Sequence, residues 1–348
     1  MRAITVVPRK AGSLEVSEVA TPTPGEGELL VDGIALGVCG TDQEIASGEY
    51  GWAPSGEERL ILGHESLGRV REAPQGSGFA PGDLVVGIVR RPDPVPCEAC
   101  ARGEFDMCRN GRYTERGIKA LHGYGSEQWT VESDYAVRLD PSLENVGVLL
   151  EPTTVVAKAW EHIEKIGNRA WFDPHRLLVA GAGPIGLLAA LLGVQRGLDV
   201  HVLDRATGGP KPRLVAELGA TYHTGSIPDI AAKARPDIVI EATGAPQLVL
   251  DAIANNAVAG IVCLTGVSST GRPMEIDVSS LSREIVLQND VVFGSVNANH
   301  RHYEQAVQVL GRADHSWLEG LITRRLPLGR AHEAFGQGQG EVKAVIDL

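Results

Sequence analysis

The sequence predicts an α/β protein in which a doubly wound parallel sheet is joined to a second, mainly-β domain. Three observations carry that expectation. Residues 156–297 alternate apolar strand-like runs with helical patterns, as parallel βαβ units do. A glycine-rich turn, Gly181-x-Gly183-x-x-Gly186, stands between an apolar run and a helical pattern. Residues 1–155 are instead short apolar runs punctuated by glycine and proline, as in TPTPGEGE and GSGFAPGDLVVGIV, which reads as strands and turns. The expected domains are therefore 1–155, completed by 298–348, and 156–297.

The totals agree with two soluble domains. A chain of 348 residues is long enough for two cores, and its 43% hydrophobic and 5% aromatic content is that of a globular protein. The formal net charge is −12 and no basic block occurs, which argues against nucleic acid or an anionic membrane as partner. The opening MRAITVVPRKAGSLEV lacks a signal-peptide pattern, and no apolar run reaches the roughly 18 residues of a spanning helix, so a cytoplasmic location is expected. Of five cysteines, at 39, 97, 100, 108 and 263, three cluster, which in a reducing compartment points to metal rather than disulfides.

In chain order, the first domain carries Cys39 in GVCGTDQEI, His64 and Glu65 in ILGHESLG, and Glu151 in LLEPTTVV. A thiolate, an imidazole and carboxylates are zinc-ligand types, but each taken singly reads equally as core or surface. Cys97, Cys100 and Cys108 fall within twelve residues of a Gly/Pro-rich loop, which is unlike plain core.

The second domain opens with a strand at 177–180, a helix from about Ile185 to Arg196 that ends at Gly197, and a strand at 200–203 that ends in Asp204. Gly181, Gly183 and Gly186 let the backbone approach a pyrophosphate. Pro184 and Ile185 open the helix whose N-terminus faces it, the Rossmann arrangement. Asp204, 23 residues after Gly181, is placed to accept from a ribose diol, which favours NAD over NADP; capping a loop is its other reading. Arg205 stands ready to stack on adenine or hold a phosphate. Strands at 237–241, 260–265 and 291–296 continue the sheet. Thr243, Gly266 and Val267 follow strand ends and are expected to wall a nicotinamide pocket that Val296 and Asn297 close. Cys263 lies in an apolar strand and reads as core. The tail from about 298 is mixed and ends in VKAVIDL, a strand expected to return to the first domain.

Over its full length the chain resembles the zinc-dependent medium-chain dehydrogenase/reductase superfamily. CGTD near residue 40, GHE near 64, PGDLV at 81–85, the cysteine cluster and GxGPIG come in that superfamily's order. VRRP at 89–92, ERGI at 115–118, HG at 122–123, LLEP at 149–152 and GSVNANHRHYEQAV at 294–307 are most similar to its glucose 1-dehydrogenase branch. The resemblance implies a GroES-like catalytic domain beside the Rossmann domain. It implies a catalytic zinc on Cys39, His64 and Glu151, with Glu65 beside them or alternating as ligand. It implies that Thr41 binds the substrate oxygen and starts a proton relay, with Glu44 where many relatives have histidine. Glu115, Glu151 and Asn297, with Thr41 and Glu65, would bind a sugar, and Val155 stands where some sugar dehydrogenases have an acid. Lys343 matches a lysine that approaches the cofactor, although a surface lysine on a terminal strand reads as well. Cys97, Cys100 and Cys108 match the last three positions of a structural zinc lobe, C-x2-C-x2-C-x7-C. Pro94 occupies the first position, with the Asp93 carboxylate beside it, so the lobe reads as a second zinc site or as free thiols. The implied activity is NAD(P)-linked oxidation of a sugar hydroxyl, best the C1 of an aldose such as glucose, in a homodimer or homotetramer. A polyol, aminosugar or secondary-alcohol dehydrogenase, and a non-catalytic NAD-binding protein, are the alternatives.

Overall fold

Eleven residues, Glu28–Val38, form the strand around which the first unit of the chain is built. The computed structural model describes every residue except 268–273, 337 and 339. The chain divides into Met1–Thr154 with Asn297–Leu348, and Val155–Val296.

Glu28–Val38 pairs antiparallel with Glu65–Glu72, with Gln128–Glu132 and with Lys343–Asp347. Leu84–Gly87 and Ala136–Arg138 extend the sheet beyond Glu65–Glu72, and Ile322–Pro327 extends it beyond Lys343–Asp347. The terminal strand therefore lies inside this sheet. Leu29, Val31, Leu36, Leu60, Val85, Tyr124, Trp129 and Ile346 pack as its core. Two helical segments of this unit carry site residues: the seven-residue helix Gly40–Ala46, and the opening turn of the 18-residue helix Leu150–Gly167. The sequence reading placed no helix at either position. The first has only seven residues and depends on its cap. The second opens on Leu-Glu-Pro, where proline suggests a turn but is tolerated in a helix's first turn.

The second unit is a six-stranded, wholly parallel sheet. Its order is Thr221–His223, Asp199–Leu203, Arg176–Ala180, Ile238–Glu241, Ile261–Leu264 and Val291–Gly294. The order reverses between Arg176–Ala180 and Ile238–Glu241, the switch point at which such sheets bind ligands. Leu178, Ala180, Val239 and Val262 pack against Ile227, Ile230 and Ala252 from the crossovers. The helix after the glycine turn is Pro184–Gln195, with eight buried residues, and Gly197 ends its approach at φ +77°. Among the described residues no helix is long and apolar enough to cross a membrane.

Candidate metal centre and dinucleotide site

The metal centre follows from strand register. Gly37 lies opposite Glu65 on one side, and Val38 lies opposite Ala344 on the other. Cys39, His64, Glu65 and Lys343 are the residues at or next to those pairs, so four side chains from three remote segments converge at one strand end. A Cβ at Gly37 would overlap the Glu65 carboxylate and crowd Lys343, so only glycine fits there.

Cys39 is the N-cap of the Gly40–Ala46 helix, and Asp42 at N3 accepts from the Cys39 N–H at 3.0 Å. The other Asp42 oxygen lies 3.3 Å from His64 Nδ1. Asp42 beside Nδ1 favours keeping a proton there, so Nε2, 3.0 Å from Cys39 Sγ, is the nitrogen that turns to a metal once its own proton is lost. One ligand atom from each of Cys39, His64 and Glu65 lies within 4.8 Å of the others. Glu65 is ion-paired with Lys343, and both side chains are nearly inaccessible, at 2% and 1%. Lys343 is thus no surface lysine; it neutralises a carboxylate of the centre. Burial pushes the Cys39 thiol up. Burial opposes protonation of His64, but Asp42 and Cys39 outweigh it and hold the imidazole well above its ordinary value.

Glu151 stands outside that tight set yet within its field. Burial, opposed by His64 and reinforced by Glu65, pushes its carboxyl up to about 7. Glu65 is the carboxylate grouped with the thiol and imidazole within 4.8 Å, and Glu151 is not part of that group. Thr41 and Glu44 are half-buried on the short helix, three residues apart and so on one face. Partial burial and Glu49 raise the Glu44 carboxyl. Glu115 is buried, and Arg90 donates to its Oε1 through Nε at 3.0 Å and Nη2 at 2.8 Å. Asn297 holds a left-handed φ of +52°, and its buried Oδ1 has no hydrogen-bond partner. Asp42 was missed in the sequence because its partner His64 lies 22 residues away, and no spacing rule joins them.

In the parallel-sheet unit the three glycines differ in their reasons. A Cβ at Gly186 would overlap the Gly181 carbonyl, and one at Gly181, whose φ is +107°, would crowd Thr243. At Gly183, the N-cap of the helix, a Cβ would meet nothing within 4 Å. The middle glycine thus faces open space at a helix N-terminus, where a pyrophosphate is favoured. Pro184 and Ile185 begin that helix. Asp204 is committed within the loop: Ala182 N–H donates to Oδ2 at 2.8 Å, Ala206 N–H to Oδ1 at 3.0 Å, and Lys211 Nζ lies 3.0 Å from Oδ2. Capping, the plainer expectation for Asp204, is what the structure displays, and Lys211 offsets its charge. Arg205 is exposed. Glu241, wholly buried, accepts from the backbone N–H groups of Thr243 and Gly244 and shapes the loop that carries Thr243. Gly266 packs on that loop, while Val267 and Val296 are 72% and 59% exposed past their strand ends.

The second cysteine cluster closes on three thiols. Cys97, Cys100 and Cys108 place their sulfurs within 4.8 Å of one another. Asp93 is not among them. Val95 N–H donates to its Oδ1 at 2.9 Å, and Asn110 Nδ2 and Arg112 Nε donate to Oδ2 at 2.8 and 3.0 Å. A structural zinc site takes four protein ligands, and this lobe supplies three. Backbone N–H donors, that of Cys100 first, bring Cys97 down to about 6. Cys263 is core, and burial pushes it up to about 12.

Two family profiles match the chain: the alcohol dehydrogenase GroES-like domain over residues 25–141, and the glucose dehydrogenase C-terminus over residues 144–348. A glucose 1-dehydrogenase of Methanocella arvoryzae is 40% identical, over 100% of this chain and 99% of the relative. That of Thermoproteus tenax is 39% identical over the same shares. Among solved structures, Haloferax mediterranei glucose dehydrogenase in complex with NADP, Zn and gluconolactone matches at a TM-score of 0.92 and 34% identity, covering 100% of this chain and 99% of that one.

Proposed function

We propose that this chain, which belongs to the glucose dehydrogenase branch of the zinc-dependent medium-chain dehydrogenase superfamily, oxidises the C1 hydroxyl of an aldose such as glucose to the lactone. It is an oxidoreductase acting on CH–OH groups with zinc and a nicotinamide dinucleotide. The observation that supports the reading is the meeting of Cys39 Sγ, His64 Nε2 and the Glu65 carboxylate within 4.8 Å. A thiolate, an imidazole and a carboxylate with a fourth position open suit catalytic zinc. Zinc held by these residues would supply the Lewis acid that lowers the pKa of the hydroxyl, and a bound nicotinamide would supply the hydride acceptor.

The chain's own residues do the rest. Asp42 keeps the His64 proton on Nδ1, so Nε2 serves the metal. Glu65 and Glu151 share the carboxylate position, and Lys343 compensates whichever charge remains. Thr41 orients the substrate hydroxyl and accepts its proton while passing its own toward Glu44 on the same helix face. Glu115, fixed by Arg90, and Asn297, with its unpartnered Oδ1, bind sugar hydroxyls. Gly183 and the helix N-terminus behind it hold the pyrophosphate, and Val267, Val296 and Thr243 face the nicotinamide. Because Lys211 offsets Asp204, both NAD and NADP are accepted. We place the enzyme in the cytoplasm, where its free cysteines stay reduced. It assembles as a dimer or tetramer through the Val291–Gly294 sheet edge and the Val278–Gln288 helix, which buries no residue. Steady-state rates over a panel of aldoses and polyols test the substrate. Turnover of glucose is expected, and a protein inert to every aldose but active on a polyol contradicts the assignment.

A further inference from the structure

The sugar-binding groups named so far are all polar: Thr41, Glu65, Glu115, Glu151 and Asn297. A pyranose also has a face. With its hydroxyls equatorial, its C–H bonds stand axial and form an apolar patch on each side of the ring. That patch has no partner among those residues. Resting on the aldose reading, we infer that Tyr50 and Trp52 form an aromatic platform that receives the C–H face of the ring and selects cyclic aldoses over open-chain polyols.

The two rings meet edge to face, with centroids 5.0 Å apart and planes at 76°, and each residue is 37% exposed. Such a corner presents two flat apolar walls to solvent. Single exposed aromatics are common on protein surfaces, but this pair is built in place. Gly51 between them holds φ at +97°, a left-handed value that suits glycine, and a Cβ there would press on Ile45 of the Gly40–Ala46 helix. Trp52 N–H donates to the Ile118 carbonyl at 3.0 Å, and Ala120 N–H donates to the Trp52 carbonyl at 2.9 Å. The Trp52 main chain is thereby tied to the loop that follows Glu115. Arg9 lies 5.0 Å from the centroid of the Trp52 ring and steadies it. Burial, reinforced by the negative charge of Glu115, raises the Tyr50 hydroxyl above its ordinary value. The platform is thus tied through the Trp52 main chain to the loop that follows Glu115, and through Gly51 it packs on Ile45 of the helix that starts at the metal centre.

The geometry has a chemical consequence. A rigid ring stacks on such a corner without losing internal freedom, whereas an acyclic polyol must freeze several torsions to do so. Tyr50 and Trp52 are therefore specificity residues rather than catalytic ones, and they act on sugar binding.

The test uses the full-length, zinc-loaded enzyme and steady-state kinetics with glucose. Trp52→Ala is expected to raise the KM for glucose about tenfold while the KM for the nicotinamide cofactor moves less than about twofold, and Trp52→Phe is expected to recover most of the loss. Tyr50→Leu supplies an independent second variant with the same expected split. Quenching of tryptophan fluorescence by glucose, in the presence of oxidised cofactor, is expected in the wild type and diminished in Trp52→Phe. A glucose KM within about twofold of wild type in both Trp52→Ala and Tyr50→Leu overturns the platform, as does an equal rise for sugar and cofactor, which marks a structural role. If the wild type itself oxidises no aldose, the aldose reading fails first and the platform falls with it; if it oxidises glucose while the variants behave as wild type, the platform alone fails.

Discussion

Asp42 accepts from the Cys39 N–H through one oxygen and faces His64 Nδ1 through the other, so it fixes the orientation of two of the three ligand-type residues. Asp42→Asn is expected to weaken zinc binding by about 10–100-fold, the usual cost of losing such a partner, with competition against a chelating dye as the measurement; an unchanged constant contradicts that role. Lys211 compensates Asp204. Removing it in Lys211→Ala is expected to lower the ratio of kcat/KM for NADP to that for NAD, because an uncompensated carboxylate repels a 2′-phosphate; an unchanged ratio shows that this pair does not read the ribose. Glu132 illustrates a pH effect with a definite sign. Burial works against its charge, but hydrogen bonds and charge from Arg91, aided by Arg116, hold it down to about 2 from an ordinary 4.5. A depressed folded-state value contributes stability above 4.5 that is lost as pH falls toward 2. The urea midpoint of the wild type should fall through that window more steeply than that of Glu132→Gln. At this scale the chain was only partly legible. Cys39, His64 and Glu65 were visible as ligand types, and Arg90 was visible in its motif. Nothing local disclosed that Lys343 would be buried, because its burial comes from the terminal strand lying inside a sheet.

Elements explain why the glycine turn was readable. Its glycines serve local needs: Gly186 must clear the Gly181 carbonyl, and Gly183 leaves open space at the helix N-terminus. Gly186→Ala is therefore expected to destabilise the parallel-sheet unit, and Gly183→Ala to leave thermal stability near wild type while weakening cofactor binding. Differential scanning calorimetry with and without NAD separates the two; equal stability losses would contradict the distinction. The strands and helix of this βαβ unit were legible to within a residue or two, since apolar runs and a glycine stop mark them directly. The Gly40–Ala46 helix was not, because what makes it a helix is a cap formed by Cys39 and Asp42, a pairing weaker in sequence than Ser and Glu. Leu150–Gly167 was hidden by its proline.

The α/β class with a parallel dinucleotide-type sheet was legible from the whole chain because it depends on alternation alone. The convergence of the metal centre was not, since it depends on the registers Gly37 to Glu65 and Val38 to Ala344. Those pairings join segments remote in sequence, the second across about 300 residues, and only recurrence of the whole motif set made them foreseeable. Assembly also belongs to this scale. Val286 and Leu287 are 70% and 58% exposed on the Val278–Gln288 helix, which precedes the edge strand in the chain. Light scattering should find a dimer or tetramer in the wild type and smaller species in Val286→Glu; a monomeric wild type contradicts assembly through that edge. The account as a whole stands on a zinc ion held by Cys39 and His64 and required for aldose oxidation. The most direct measurement determines zinc content and glucose-dependent reduction of NAD or NADP on the same dialysed samples of wild type and His64→Ala. The account predicts that the variant holds about one zinc fewer per chain than the wild type and loses turnover with it; a variant that keeps full zinc content, or that loses the ion and still oxidises glucose at the wild-type rate, contradicts it.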